Sequence, residues 1–161
     1  MNRMASKAAV VILMAVFAGA PLGAQSGTSV TGAGGGLYPS GTSFSGVSLS
    51  GLKFGTGVTI ATNGSAEGQF QATLLGTSVL GQPQNIQIEG KATAGSSAAA
   101  GTATFSGACT LDLGDGTLPS QNVPFIVAIT TNADDQGTLA LTIGLTSLPA
   151  ATVNEGSMKI E

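Results

Sequence analysis

The residues of this sequence that could perform chemistry are one cysteine and a few carboxylates. Histidine and tryptophan are absent, and Cys109 is the only cysteine among 161 residues. Histidine is the commonest general acid–base residue and the commonest metal ligand, so Ser–His–Asp and Cys–His catalysis are excluded. A zinc site with one cysteine and no histidine would lack most of the ligands that zinc usually takes. The sequence therefore predicts a protein that is not an enzyme and uses no cofactor.

Four aspartates are the candidates for a metal site. Asp112 and Asp115 flank Gly114, and Asp134 is followed by Asp135 in a polar turn. Carboxylate oxygens are ligands that Ca²⁺ prefers, so two such loops could hold an ion if they converged. Aspartate in a turn also caps backbone N–H groups, and neither stretch has the spacing of a known calcium loop. We therefore predict no metal site and keep these four residues as weak calcium candidates.

Cys109 lies in the most regularly alternating stretch of the chain, residues 101–113. Its odd positions include Phe105, Cys109 and Leu111, whereas its even positions are mostly threonine, serine or aspartate. A side-chain period of two with one apolar face indicates a half-buried β-strand. The thiol is therefore expected to face inward as a small, inert hydrophobic group.

Seven further stretches have strand patterns and are separated by glycine-containing turns, with no helical window after residue 24. Short connections of this kind favour an antiparallel meander. The fold class is thus predicted to be all-β, closed as a small soluble barrel or folded as a two-sheet sandwich. The eight predicted strands are residues 44–49, 52–62, 65–75, 84–93, 101–113, 123–131, 137–145 and 152–160.

Two local features set the predicted register. Asn63-Gly64 marks a hairpin, and the hydrophobic pattern favours a three-residue turn over residues 63–65 that pairs Val58 with Phe70. In the last strand Val153 and Met158 fall on different faces, which predicts a β-bulge at Gly156. The bulge leaves open which side of the sheet Glu155 faces.

The N-terminal composition predicts export. Arg3 and Lys7 precede an apolar run over residues 8–20 and small residues before Gln25, which is the plan of a signal peptide cleaved near Ala24. We expect a secreted, periplasmic or extracellular protein of bacterial type, without a disulfide or a transmembrane anchor in the mature chain. The predicted organisation is a signal peptide at 1–24, a flexible Gly/Ser/Thr-rich leader at 25–42, and one antiparallel β-domain at 43–161.

The few charged residues of the predicted mature chain, most of them acidic, limit the kind of partner that it could bind. After cleavage three lysines would face eight acidic residues, which argues against nucleic acid because phosphate binding needs clustered basic side chains. The favoured function is a structural or extracellular interaction role, through self-association or a matrix or surface partner. The alternative is a small apolar ligand inside a closed sheet, where several inward positions are small: Ala72, Gly90, Ala92, Ala103 and Gly107.

Overall fold

The chain forms ten antiparallel strands that belong to one sheet. The computed structural model describes residues 27–161, and the predicted signal peptide at residues 1–24 lies outside them. The strands are β1 (Gly27–Leu37), β2 (Ser43–Phe44), β3 (Val47–Ala61), β4 (Ser65–Thr77), β5 (Ile86–Ala99), β6 (Thr102–Asp112), β7 (Ser120–Thr131), β8 (Gly137–Ile143), β9 (Thr146–Ser147) and β10 (Ala151–Ile160).

Eight of these strands close into a ring. The hydrogen-bonded order is β1-β10-β8-β7-β6-β5-β4-β3, and β3 pairs again with β1. The short strands β2 and β9 are added to β3 and β8. Most neighbours in the ring are also neighbours in sequence, which confirms the predicted all-β antiparallel fold.

Alternating side chains fill the inside of the ring. On β6, Ala103, Phe105, Cys109 and Leu111 are all buried, as the alternation predicts. Phe105 packs edge-on against Phe70 of β4 with ring centroids 5.9 Å apart, and Phe125 of β7 stacks on Phe70 at the same distance. Because the three rings come from separate strands, they join opposite parts of the sheet into one apolar core.

The β3–β4 hairpin has the predicted three-residue turn, but the turn lies one residue earlier, at 62–64. Val58 therefore pairs with Gly68 and not with Phe70, although the inward and outward faces are as predicted. The Gly64 N–H donates to the Ala61 carbonyl at 3.0 Å, and Gly64 adopts a positive φ of 85°. Asn63 caps the turn by accepting a hydrogen bond from the Ser65 N–H. The tight turn thus needs its glycine at the third loop position.

The prediction of a flexible leader is wrong for the residues that form β1. Gly27–Leu37 is a strand that pairs with β3 along its whole length and with β10 from Val30 onward. Composition suggested disorder because β1 brings only one large apolar side chain, Val30, to the core. Backbone hydrogen bonds on both sides offset the ordering entropy that the side chains of this strand cannot offset.

The expected bulge in the last strand is present, slightly before Gly156. Gly35 pairs with Glu155 and Gly36 with Val153, so Asn154 is the extra residue. Gly156 has a positive φ of 81° and pairs with Gly34. As a result Val153 and Met158 are both buried and Glu155 is exposed on the outside of the sheet.

Strand β8 is shorter than predicted. It ends at Ile143, so Leu145, which the alternation places inward, lies in a turn and is fully exposed. On β7 the apolar run has Phe125, Val127 and Ile129 inward, whereas Ile126 faces outward and is 45% exposed.

The approach of β1 to β10 gives a first testable prediction. A Cβ on Gly34 would overlap the Glu155 carbonyl oxygen, so Gly34→Ala is expected to lower the free energy of unfolding by about 2 kcal/mol. Gly55 of β3 is the matched control, because a Cβ there meets nothing within 4 Å. Gly55→Ala is expected to be neutral or to stabilise by about 0.5 kcal/mol. Equal urea midpoints for the two variants would show that β1 does not lie this close to β10.

Candidate functional site

The ring has two ends with different connections. One end, here called the loop end, carries residues 38–42, 78–85, 113–119 and the segment around β9. The other, the turn end, carries the tight turns at 62–64, 100–101 and 132–136, the start of β1 and the end of β10. Because every pairing is antiparallel, a side chain's position along its strand determines the end to which it belongs.

The four candidate calcium ligands are divided between these ends. Asp112 and Asp115 lie at the loop end, and Asp134 and Asp135 lie at the turn end. The convergence of loops that calcium binding would need is therefore not present. Within residues 27–161, no three side chains of the metal-binding types Cys, Asp and Glu come together.

Hydrogen bonds explain the aspartates at the loop end as turn caps. Asp112 accepts a hydrogen bond from the Gly114 N–H at 2.8 Å. Asp115 accepts from the Thr117 hydroxyl at 2.6 Å and from the Thr117 N–H at 2.9 Å. These bonds, the one from the hydroxyl first, hold the pKa of Asp115 below its usual value.

The turn-end aspartates belong to a tight turn that Asn132 organises. Its side-chain oxygen accepts from the Asp134 and Gln136 N–H groups, each at 3.0 Å. Asp135 forms an ion pair with Lys159 of β10 at 3.8 Å, and both side chains are about half exposed. Exposed pairs of this kind contribute little to stability.

Neither Cys109 nor Glu155, the two remaining candidates for chemistry, lies in a setting that favours catalysis. Cys109 is 3% exposed, and burial raises the pKa of its thiol. Glu155 is exposed, and its carboxylate lies beside the backbone of Gly35. Five surface grooves among residues 27–161 each contain at most one carboxylate, whereas glycoside hydrolysis needs two.

The most distinctive surface is the loop end, which the sequence reasoning missed. Five of the six exposed large hydrophobic residues of the described chain lie there, and only Ile126 lies on the outer wall. We call the five the loop-end apolar residues: Leu37, Val79, Leu80, Leu118 and Leu145. Three separate loops and the end of β1 contribute them, and the antiparallel order of the strands places all of them at the same end.

The longest loop presents its apolar residues on an ordered turn. The Gly81 N–H donates to the Ser78 carbonyl at 2.9 Å, which places Val79 and Leu80 at the two central positions of a β-turn. Gly81 has a positive φ of 75°, which a glycine adopts without strain. Val79 is 86% and Leu80 83% exposed. The turn therefore holds both side chains in solvent.

A side-chain hydrogen bond ties this loop to its neighbour. The Gln84 amide donates to the Leu113 carbonyl at 2.8 Å, at the base of the loop that carries Leu118. Gly114 packs against the Asn85 carbonyl so closely that a Cβ would overlap it. Two of the three apolar loops are thus fixed relative to each other.

Comparison with known protein families, curated proteins and solved structures found no match to this chain. No helix long and apolar enough to span a membrane occurs among residues 27–161.

Burial of Cys109 predicts low reactivity in the folded protein. A disulfide reagent such as DTNB is expected to label Cys109 at least about 100-fold more slowly in the native protein than in urea, because the thiolate is disfavoured and shielded. The control is Ala108→Cys in a Cys109→Ala background, since position 108 is exposed. Native labelling of Cys109 at the rate of that control would contradict the inward placement.

Tyr38 gives a third prediction. Its hydroxyl is buried, has no hydrogen-bond partner within the described residues, and has its pKa raised by burial. Tyr38→Phe is therefore expected to raise the free energy of unfolding by about 1 kcal/mol at pH 7. Because the folded-state pKa lies above the unfolded one, wild-type stability is complete below about pH 10 and decreases as pH rises above it.

Thr56 provides the control, since its buried hydroxyl also lacks a partner among residues 27–161. Thr56→Val is expected to stabilise at neutral pH and to keep the alkaline loss that Tyr38→Phe removes. Destabilisation by Tyr38→Phe at pH 7, measured by urea unfolding, would mean that the hydroxyl is hydrogen bonded after all.

Proposed function

We propose that this chain is an exported, non-catalytic interaction domain that binds its partner through the loop end. One observation carries the proposal: the loop-end apolar residues gather at one end of the ring, although they come from separate connections. Single exposed leucines are common on protein surfaces, whereas clustered ones mark interaction sites. Export is supported by the sequence of residues 1–24.

Because these side chains are exposed in the free protein, their burial against a partner would make a large contribution to the binding free energy. Leu118 is 92% and Leu145 104% exposed, so almost all of their apolar surface meets solvent. Full burial of one such side chain is worth about 1.5–3 kcal/mol before the costs of association. Three or four such anchors would supply about 4.5–12 kcal/mol, which is comparable to the association cost of about 4–15 kcal/mol.

Charge at the loop end limits the kind of partner. The connecting segments there contain no lysine or arginine, and their charged groups are Asp112, at the end of β6, and Asp115. A partner with an apolar centre and a neutral or basic rim fits this surface. Nucleic acid and strongly anionic lipid would be repelled. A matrix or surface protein, or a second copy, remains within this description.

The alternative of a small apolar ligand inside the ring has less support. Gly90, one of the small inward positions, faces the Phe125 ring, whose nearest carbon would lie 2.5 Å from a Cβ placed there. Ala72, Ala92 and Ala103 are buried in the same core as the three phenylalanines. At Gly90 the space that a side chain would need is thus taken by the Phe125 ring.

The proposal is tested by removing the apolar anchors. The triple variant Leu80→Ser, Leu118→Ser, Leu145→Ser is expected to keep the stability of the wild type, because these side chains contact little of the core. Labelled wild-type protein should bind to intact cells of the exporting host, and the triple variant should lose at least about tenfold in affinity. Ile126→Ser, which removes the exposed apolar residue of the outer wall, is the matched control and should bind like the wild type.

Two results would contradict the proposal. One is equal binding of the wild type and the triple variant to cells, and the other is an absence of cell binding by both proteins together with the same monomeric state for both.

A further inference from the structure

We infer that β1 can be exchanged between copies of this chain, so that β1 of one molecule fills the gap between β3 and β10 of another. The inference is independent of the loop-end function, because it uses the wall of the ring where its first and last strands meet. The partner is a second copy, and the contact is a strand addition on two sides at once.

The topology makes β1 separable from the rest of the sheet. Strands β3 to β8 and β10 form a continuous hydrogen-bonded path without it. Removing β1 would leave β3 and β10 as two open edges that face each other across one strand's width. Open edges of this kind are templates for another strand.

The interior holds β1 weakly through side chains and strongly through backbone. Val30 is its only large side chain buried in the core, and the next inward positions are Gly32, Gly34 and Gly36. β1 pairs with β3 at eleven residues and with β10 at eight. Main-chain hydrogen bonds therefore supply most of the binding, as in β-strand addition between proteins.

The gap between β3 and β10 has room for a strand that carries glycine where β1 does. This requirement identifies the occupant as β1 of another copy. A Cβ at position 32 would lie 2.7 Å from the Ser157 carbonyl oxygen, and one at position 36 would lie 2.9 Å from that of Thr152. At position 34 it would overlap the Glu155 carbonyl oxygen. A strand with ordinary side chains at these three alternate positions does not fit, whereas β1 of another copy does.

The connection from β1 to β3 carries unfavourable features that an extended connection would relieve. Tyr38 is 7% exposed, and its buried hydroxyl lacks a hydrogen-bond partner within the described chain. Ser45 adopts a positive φ of 49°, a left-handed conformation that is uncommon for a residue other than glycine. Exchange keeps the pairing of β1 with β3 and β10, but it opens a connection in which Tyr38 and Phe44 are buried, so the relief of strain is set against the loss of those contacts.

Ser29 and Thr59 provide a crosslink that reports exchange. They are direct partners on β1 and β3. The Ser29 N–H and carbonyl both bond to Glu161, at 2.6 and 2.9 Å, so they point away from β3. The pair is thus non-hydrogen-bonded on the β3 side, where Cα atoms lie about 4.5 Å apart, within the range for a disulfide. Neither side chain lies in the core.

The test mixes two single-cysteine variants of the full chain. All variants of this test carry Cys109→Ala, because the native thiol would otherwise form crosslinks of its own during refolding. Ser29→Cys and a size-tagged Thr59→Cys are refolded together from urea at high concentration and then oxidised. Neither chain can form the 29–59 bond alone, so a crosslinked heterodimer requires β1 of one chain to lie against β3 of the other. A mixture of Ser29→Cys with Glu67→Cys is the control, because Glu67 is exposed on β4, one strand beyond Thr59.

We expect at least about tenfold more heterodimer in the first mixture than in the control, because only the first pair meets disulfide geometry. Equal yields in the two mixtures would overturn the inference. The double variant Ser29→Cys, Thr59→Cys, oxidised as a monomer, gives a second readout. It should stay monomeric on concentration until it is reduced. A locked monomer that associates as readily as the reduced one would place the contact elsewhere, and the inference would fail while the loop-end proposal stands.

Discussion

The pairing of β1 with both β3 and β10 is the interaction on which the rest of this structure depends. It turns an open meander, with two unpaired edges, into a ring in which each strand of the wall has two neighbours. Edge strands are a liability because their free N–H and carbonyl groups can pair with other chains. Here the strand that removes both edges is also the poorest in side chains, so closure relies on backbone hydrogen bonds and on glycines that permit close approach to β10.

The closed ring explains why the loop end is the functional candidate. Hairpins fix the order of the strands, and their antiparallel pairing places every second connection at the same end. Val79 and Leu80 are separated from Leu118 and Leu145 by long stretches of sequence, yet this alternation brings them to one end of the ring. The carboxylates illustrate the opposite outcome. Asp112 and Asp115 are separated from Asp134 and Asp135 by one strand, β7, which carries the two pairs to opposite ends.

Much of the wall could be predicted from the sequence, because alternation determines which side of a strand faces the core. Cys109 and Phe105 face inward for this reason. The three-residue hairpin turn followed from the same argument, but its position did not, because sliding the turn by one residue keeps both faces unchanged. β1 was mistaken for a flexible leader because its stability comes from backbone pairing with β3 on one side and with β10, at the far end of the chain, on the other. The loop-end apolar residues were missed because hydrophobic side chains within loops have no period, and Leu145 was placed on a strand that ends two residues earlier.

The pairing of Val30 with Ile160 also determines the order in which the strands pair as the ring forms. Contacts from β3 to β8 join strands that are close in sequence, and loop-closure entropy makes such contacts fast. The pairing of β1 with β10 spans nearly the whole described chain, so it is the slowest contact to form. Until β10 has formed, β1 has only β3 as a neighbour. A folding molecule therefore passes through an interval in which the gap between β3 and β10 is only half closed, and the local concentration of other folding chains then decides which copy of β1 completes it.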